Sequence, residues 1–344
     1  MTRRPARPTM RDVAQAAGVS LMTVSRVVNG QSGVQPETAA RVELAIRRLG
    51  YQRNNAARQL RRGGEPTQTI GVLVDDLANP FFAALARAVE DAARERGYVV
   101  LIGSSNDSLR REREVISAFC ARQVDGLLVV PVAGSHRFLR DQLALGTKVV
   151  CADRPADGMA VDTVMVDNRQ AARQAVRHLL DQGHRRIGYL GDREDIWTIR
   201  QRHAGFLAAF EDLGLVPEPS LIRLGLRDRA SAAAAAGALG RLRDPPTALF
   251  ASNNVTTMGA VDALYGQAGE MALVGFDEFA LADKLIPPVT VVAQDPVAIG
   301  ATAAQLLFSR IAGDTSPPRE VMLLTRLVPR GSGEVVPAAG SADH

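Results

Sequence analysis

The sequence predicts two unlike parts in one chain: an all-α helix-turn-helix headpiece and an α/β body of two doubly wound parallel-sheet lobes. Three observations carry this. Residues 9–29, TMRDVAQAAGVSLMTVSRVVN, read as two short helices joined at a glycine. Residues 1–64 hold 12 arginines against three acidic side chains, a net +9, whereas the remainder holds 29 basic against 34 acidic, a net −5. From Thr69 onward, short apolar runs alternate with stretches of helical length, the pattern of repeated strand–helix–strand units.

Thr9 is a good N-cap, and Asp12, three residues on, returns the bond in an acidic variant of the capping box. Val13, Ala14, Ala16 and Ala17 give the first helix a small apolar face, and Gly18 ends it. Ser20 caps the second helix, which turns Val24, Val27 and Val28 inward and leaves Leu21, Met22, Ser25 and Arg26 outward. Two helices of about eight residues around a glycine turn match a DNA-reading element. The same pattern also fits a plain helical hairpin. The charge split favours DNA, because a basic module on a mildly acidic body suits phosphate binding by one end.

A third helix is expected from Pro36 to Leu49, packing back through Val42, Leu44, Ala45, Ile46 and Leu49. Next comes YQRNNAARQLRRG, residues 51–63, which is short, basic and weakly amphipathic. A helix this short is unstable alone in water and is expected to form against DNA. Residues 63–66, GGEP, read as a linker.

In the body, strands are expected at TIGVLV, YVVLIG, DGLLVVP, KVVCAD and RRIGYLG, between Leu213 and Ala230, at TALFASN, MALVGFD and VTVVAQD, and near 321–324, with helices between them. About 260 residues exceed one such sheet, so two lobes are expected, with a ligand cleft at the carboxyl ends of the strands. The domains are then 1–52 (headpiece), 53–68 (hinge helix and linker), 69–330 (two-lobed body) and 331–344 (a flexible Gly/Ala/Pro-rich tail).

Several classes are set aside. No apolar run approaches the length of a membrane span, and MTRRPARPTM has no apolar segment after its charges, so neither a membrane anchor nor a secretory signal is expected. Cys120 and Cys151 read as buried reduced thiols, and the expected location is cytoplasmic. His178, His184 and His203 lack metal-ligand spacing, and there is no phosphate loop or dinucleotide fingerprint. No catalytic residues, metal or cofactor are expected; the chain does not read as an enzyme.

From Thr9 to about Arg330 the chain resembles the lactose/galactose repressor (LacI/GalR) family of bacterial transcription regulators. The motifs that carry this are DVAQAAGVSLMTVSRVVNG, GYQRNNAARQL, ANPFF, HRRIGYLG and VGFDEF followed by PPVTVVAQ. The resemblance implies lobes of periplasmic-binding-protein type, a homodimer and double-stranded operator DNA as partner. It places Leu21, Met22 and Arg26 at base edges, with Thr23 and Asn29 at phosphates. Arg26 forks onto guanine, whereas Leu21 and Met22 read only thymine methyls and shape. In the hinge, Leu60 matches a wedge inserted in the minor groove, with Asn54 and Ala57 beside it; Arg53 stands where the family usually has proline.

The cleft segments also resemble ribose-type repressors and ribose-binding proteins, implying effector contacts from Asn79, Phe81, Phe82, Asp153, Arg154, Arg202, Asn253, Asp277 and Gln294. Such a set suits a small sugar: polar groups meet hydroxyls and aromatic rings cover the apolar ring face. Trp197 is a further candidate for stacking, and Asn254 departs from a position often acidic in the family. The expected function is a sequence-specific repressor of carbohydrate-utilisation genes, released from its operator by a pentose or hexose. The alternative is a co-repressor-type regulator answering a purine or another metabolite; Ile196 stands where a purine-type site wants a basic residue.

Overall fold

A computed structural model describes residues 8–28, 31–51, 66–265 and 271–337. It divides the chain into two units, Met1–Thr67 and Gln68–His344.

In the first unit, α1 (Met10–Ala17), α2 (Leu21–Val28) and α3 (Pro36–Leu49) enclose a small core of Val13, Ala14, Ala17, Val24, Val42, Ala45 and Tyr51. The expected caps are present. Thr9 N–H donates to Asp12 Oδ2 at 2.6 Å, Asp12 N–H returns to Thr9 Oγ1, and Ser20 Oγ accepts from Thr23 N–H at 3.1 Å. Gly18 takes a left-handed φ of 63° at the turn, and Arg41 of α3 donates to Ala17 O at 2.6 Å, fastening that turn. One expectation fails. Leu44 and Leu49 are exposed, at 43% and 36%, because the inward stripe of α3 runs through Val42, Ala45 and Ile46 and Tyr51 fills the space beyond the helix end.

The second unit holds two six-stranded sheets of matching order. The first lobe contains β1 (Thr69–Val74), β2 (Val99–Ser104), β3 (Gly126–Val129), β4 (Lys148–Ala152), β5 (Asp162–Val166) and β11 (Glu320–Leu323), in the order β11-β5-β4-β3-β1-β2 and wholly parallel. The second contains β6 (Ile187–Leu190), β7 (Ile222–Arg223), β8 (Ala248–Ala251), β9 (Ala272–Phe276), β10 (Thr290–Ala293) and β12 (Arg326–Val328), in the order β12-β10-β9-β8-β6-β7. Its last pairing, β10 with β12, is antiparallel. The chain therefore changes lobes three times, after β5, β10 and β11.

Helices cover both faces of each sheet: α4 (Pro80–Glu95), α5 (Leu109–Cys120), α6 (Phe138–Ala144) and α11 (Pro296–Ile311) in the first lobe, and α7 (Asn168–Asp181), α8 (Trp197–Glu211), α9 (Arg229–Gly240) and α10 (Asn254–Leu264) in the second. Parallel strands buried on two sides read as continuous apolar runs, as TIGVLV does. Close helix packing needs glycine in each lobe. A methyl on Gly300 of α11 would lie 2.4 Å from Leu85 O of α4, and one on Gly205 of α8 would lie 2.2 Å from Arg169 O of α7.

Two strands were not foreseen in the sequence. β5, DTVMV, is fully buried but follows an irregular loop, and β12 has only three residues. The tail boundary at 331 is also corrected. Ser332 is buried, its Oγ donating to Leu273 O at 2.5 Å and accepting from Thr290 N–H at 2.9 Å. Glu334 accepts from Thr290 Oγ1 and pairs with His178, while His184 Nε2 meets Val335 O at 2.8 Å. Residues 331–335 thus strap the second lobe.

Candidate functional site

The carboxyl ends of the two sheets face each other across a cavity of about 320 Å³. Nine of the ten predicted effector residues line it: Asn79, Phe81, Phe82, Asp153, Arg154, Arg202, Asn253, Asp277 and Gln294. Five lie within two residues of a strand's end: Asp153, Arg154, Asn253, Asp277 and Gln294. Asp153 follows β4 and Asp277 follows β9, the matching strand of the other lobe, and both take left-handed backbone, φ 69° and 72°. Both N–H groups bond the neighbouring strand, Asp153 to Val164 O and Asp277 to Val292 O. The same turn, used twice, aims a carboxylate into the cleft from each side. Left-handed backbone costs energy for a residue with a side chain, so its recurrence at two facing positions points to function.

Asn79 caps α4 through Phe81 N–H, and Asn253 caps α10 through Thr256 N–H. These caps fix the helix starts that carry Phe81, Phe82 and Asn254. Phe81 and Phe82 meet edge to face at 5.2 Å and are also part of the first lobe's core, so they serve both roles.

Arg202 is rigidly held. Its Nε donates to Asn168 Oδ1 at 2.8 Å, its Nη1 to Ser252 O at 2.7 Å, and its guanidinium stacks 3.7 Å above the Phe276 ring. Asp277 Oδ2 lies 3.5 Å from Nη1, and Gln294 Nε2 donates to Asp277 Oδ1 at 2.5 Å. Burial pushes the Asp277 carboxyl above its ordinary range, against the pull of Arg202 and Gln294. On the first lobe, Arg154 bonds Asp153 at 3.1 Å and Asp75 at 3.5 Å. Three buried atoms of the lining, Arg154 Nη1, Gln294 Oε1 and Asp107 Oδ1, have no hydrogen-bond partner among the described residues. Each such atom costs about 1–3 kcal/mol unless something bonds it.

Trp197 is the exception among the predicted residues. It occupies the first position of α8, half-buried, and does not line the cavity. The helix turn presents Thr198, Ile199 and Arg202 to the cleft instead, and Ile196 closes the wall beside them. Sequence reasoning also missed Asp75, Asp76, Asn106, Asp107, Asp192 and Arg227. A signal was present: five of these six lie within three residues of the end of β1, β2 or β6, where a doubly wound sheet puts its ligand contacts.

Asp107 bridges the lobes. It meets Arg193 at 2.8 Å and Arg227 at 3.4 Å, both from the second lobe. Burial and the nearby Asp75 carboxylate raise it to about 6, with Arg193, Arg154 and Arg227 pulling the other way. Burial likewise raises Asp192. Among the described residues no cluster of three or more His, Cys, Asp or Glu is arranged for a metal ion, and no helix is long and apolar enough to cross a membrane.

On the headpiece, Leu21 is 44% and Met22 67% exposed, and Arg26 is exposed one turn further on. Large apolar side chains left in water on a reading helix await a surface. Thr23 is half-buried, its hydroxyl 2.9 Å from Ser20 Oγ. Asn29, Asn54, Ala57 and Leu60 lie outside the described residues.

A helix-turn-helix headpiece on a two-lobed body with a polar cleft defines a DNA-binding regulator governed by a small molecule. Residues 9–54 match the bacterial regulatory proteins of the lacI family, and residues 67–329 match the periplasmic binding proteins and sugar binding domain of the LacI family. The chain belongs to the LacI family; it is a transcriptional regulator and not an enzyme. It is 32% identical to the HTH-type transcriptional repressor CytR of Escherichia coli (strain K12), over 96% of this chain and 97% of that one. It is 34% identical to a putative ribose operon repressor from Burkholderia thailandensis, covering 76% of this chain and 98% of that one with a TM-score of 0.68. A Lac repressor dimer bound to operator and the anti-inducer ONPF matches at 25% identity and a TM-score of 0.83, over 96% of this chain and all of that one.

Proposed function

We propose that the protein is a cytoplasmic homodimeric repressor of carbohydrate-utilisation genes, released from its operator by a pentose or hexose bound between the lobes. The observation that carries the sugar reading is the set of unpartnered buried atoms, Arg154 Nη1, Gln294 Oε1 and Asp107 Oδ1, in a cavity of about 320 Å³. One donor and two acceptors, beside paired aromatic rings, match the hydroxyls and apolar face of one sugar ring. A wrong stereoisomer leaves some of them unbonded, which gives selectivity.

Supporting the DNA reading, the exposed Leu21, Met22 and Arg26 share a helix in the basic part of the chain. We assign Leu21, Met22 and Arg26 to base edges, Thr23 and Asn29 to phosphates, and Leu60, with Asn54 and Ala57, to the minor groove. Coupling follows from linkage: a sugar that favours one lobe arrangement lowers operator affinity by the factor by which operator lowers sugar affinity.

A thermal-shift screen of pentoses, hexoses and purines tests this. One sugar is expected to raise the melting temperature in proportion to the logarithm of its concentration. A response to purines alone contradicts the sugar reading.

A further inference from the structure

Six aspartates line the cavity (Asp75, Asp76, Asp107, Asp153, Asp192 and Asp277) against three arginines, Arg154, Arg202 and Arg227. None of the three arginines is without a carboxylate. Arg202 faces Asp277, Arg154 faces Asp153 and Asp75, and Arg227 shares Asp107 with Arg193. An anion here would find Arg154 Nη1 without a partner, but that guanidinium already carries the Asp153 and Asp75 carboxylates. The helix starts offer little in exchange, since α4 and α10 are capped by Asn79 and Asn253. The start of α8 has no side-chain cap. That end supplies roughly half a positive charge, against a formal lining charge of −3, or −2 with Arg193, which pairs with Asp107, included.

The second observation is Asp107 itself. Its side chain is 7% exposed and its Oδ1 is unpartnered among the described residues, so this acceptor is aimed at a ligand that donates. A sugar hydroxyl can donate to it, whereas a phosphate or carboxylate group seated beside it would meet like charge.

Resting on the sugar reading, we propose that Asp107, Asp192 and Asp75 form a charge filter. It makes the effector an uncharged sugar and rejects the phosphate ester or sugar acid of the same skeleton. Asp107 of the first lobe and Asp192 of the second, both lining the cavity, are then specificity-determining residues.

Titration calorimetry on the full chain tests this at pH 8, using each aldopentose and aldohexose beside its terminal phosphate ester and its aldonic acid. For the sugar that binds, the anionic forms are expected to bind at least about 30-fold more weakly. Added salt is expected to narrow that gap by screening, and Asp107→Asn with Asp192→Asn to narrow it further. Should the double variant fail to fold, the salt dependence of the native protein carries the same test. Equal or tighter binding of a phosphate ester or acid overturns the filter while leaving a sugar skeleton as ligand. Binding of no sugar in any form overturns the sugar reading and the filter together.

Discussion

Asn79, which caps α4 in the first lobe, and Asn254, in the first turn of α10 in the second, exchange two side-chain hydrogen bonds across the cleft. Asn254 Nδ2 donates to Asn79 Oδ1 at 2.8 Å, and Asn79 Nδ2 donates back to Asn254 Oδ1 at 3.3 Å. Asn254 is 1% exposed. An amide pair of this kind is self-complementary without charge, whereas an aspartate here would accept one bond and repel Asp277 nearby. It therefore accounts for an amide where the LacI-family pattern is often acidic.

Asn254→Asp is expected to lose the reciprocal bond and weaken effector binding about tenfold, with DNA binding by the headpiece retained. A double-mutant cycle with Asn79→Ala and Asn254→Ala should give a coupling of about 0.5–1.5 kcal/mol in effector affinity. A coupling of zero would show that the two residues act separately.

Arg202→Ala removes a guanidinium held by Asn168, Ser252 O and the Phe276 ring, and strands the buried Asp277. Loss of one partner of a buried pair costs about 3–5 kcal/mol. The expected result is a lower melting temperature and no effector response. Arg202→Ala with Asp277→Asn should recover much of the stability but not the response. Calorimetric melting with and without sugar separates the two effects; full response in the single variant would remove Arg202 from the site.

Asp107 makes stability depend on pH. Its folded value, about 6, lies above the ordinary 3.8, so the folded chain binds the proton more tightly than the unfolded one. Ionised Asp107 therefore costs stability at neutral pH, and that cost is relieved as pH falls through about 6 toward 3.8. Relative to Asp107→Asn, the native protein is expected to gain stability between pH 7 and pH 5. Parallel denaturation profiles of the two proteins over that range would contradict the assignment.

Truncation after Arg330 deletes the strap on the second lobe. Thr290 N–H and Leu273 O would lose Ser332 Oγ, and the His184 ring would lose Val335 O. Two or three buried groups left unbonded at about 1–3 kcal/mol each should lower the melting temperature by roughly 5 °C or more. An unchanged melting curve would mean that water replaces these bonds at no cost.

The alternation of apolar runs and helical stretches made both lobes legible in the sequence, because strands buried on two faces cannot hide their composition. The residues that line the cleft were legible where a motif carried them, as in ANPFF and GFDEF. What the sequence concealed was set by three-dimensional facing. Trp197 and Thr198 are neighbours in the chain, yet a helical turn sends only Thr198 into the cleft. Asp107 and Arg193 are 86 residues apart and meet only once the lobes do. Ser332 and Glu334 looked like tail because their partners, Thr290 and His178, lie on other elements.

The central claim is that one small sugar in the cleft lowers affinity for one operator. Fluorescence anisotropy of a labelled operator, isolated by selection from genomic fragments, measures this directly when titrated with protein at rising sugar concentration. Operator affinity is expected to fall to a plateau as the sugar saturates. The sugar affinity measured on the operator complex should be reduced by the same factor, and Arg202→Ala should abolish both changes. Operator affinity that stays constant through saturation of the cleft by its sugar would contradict that claim.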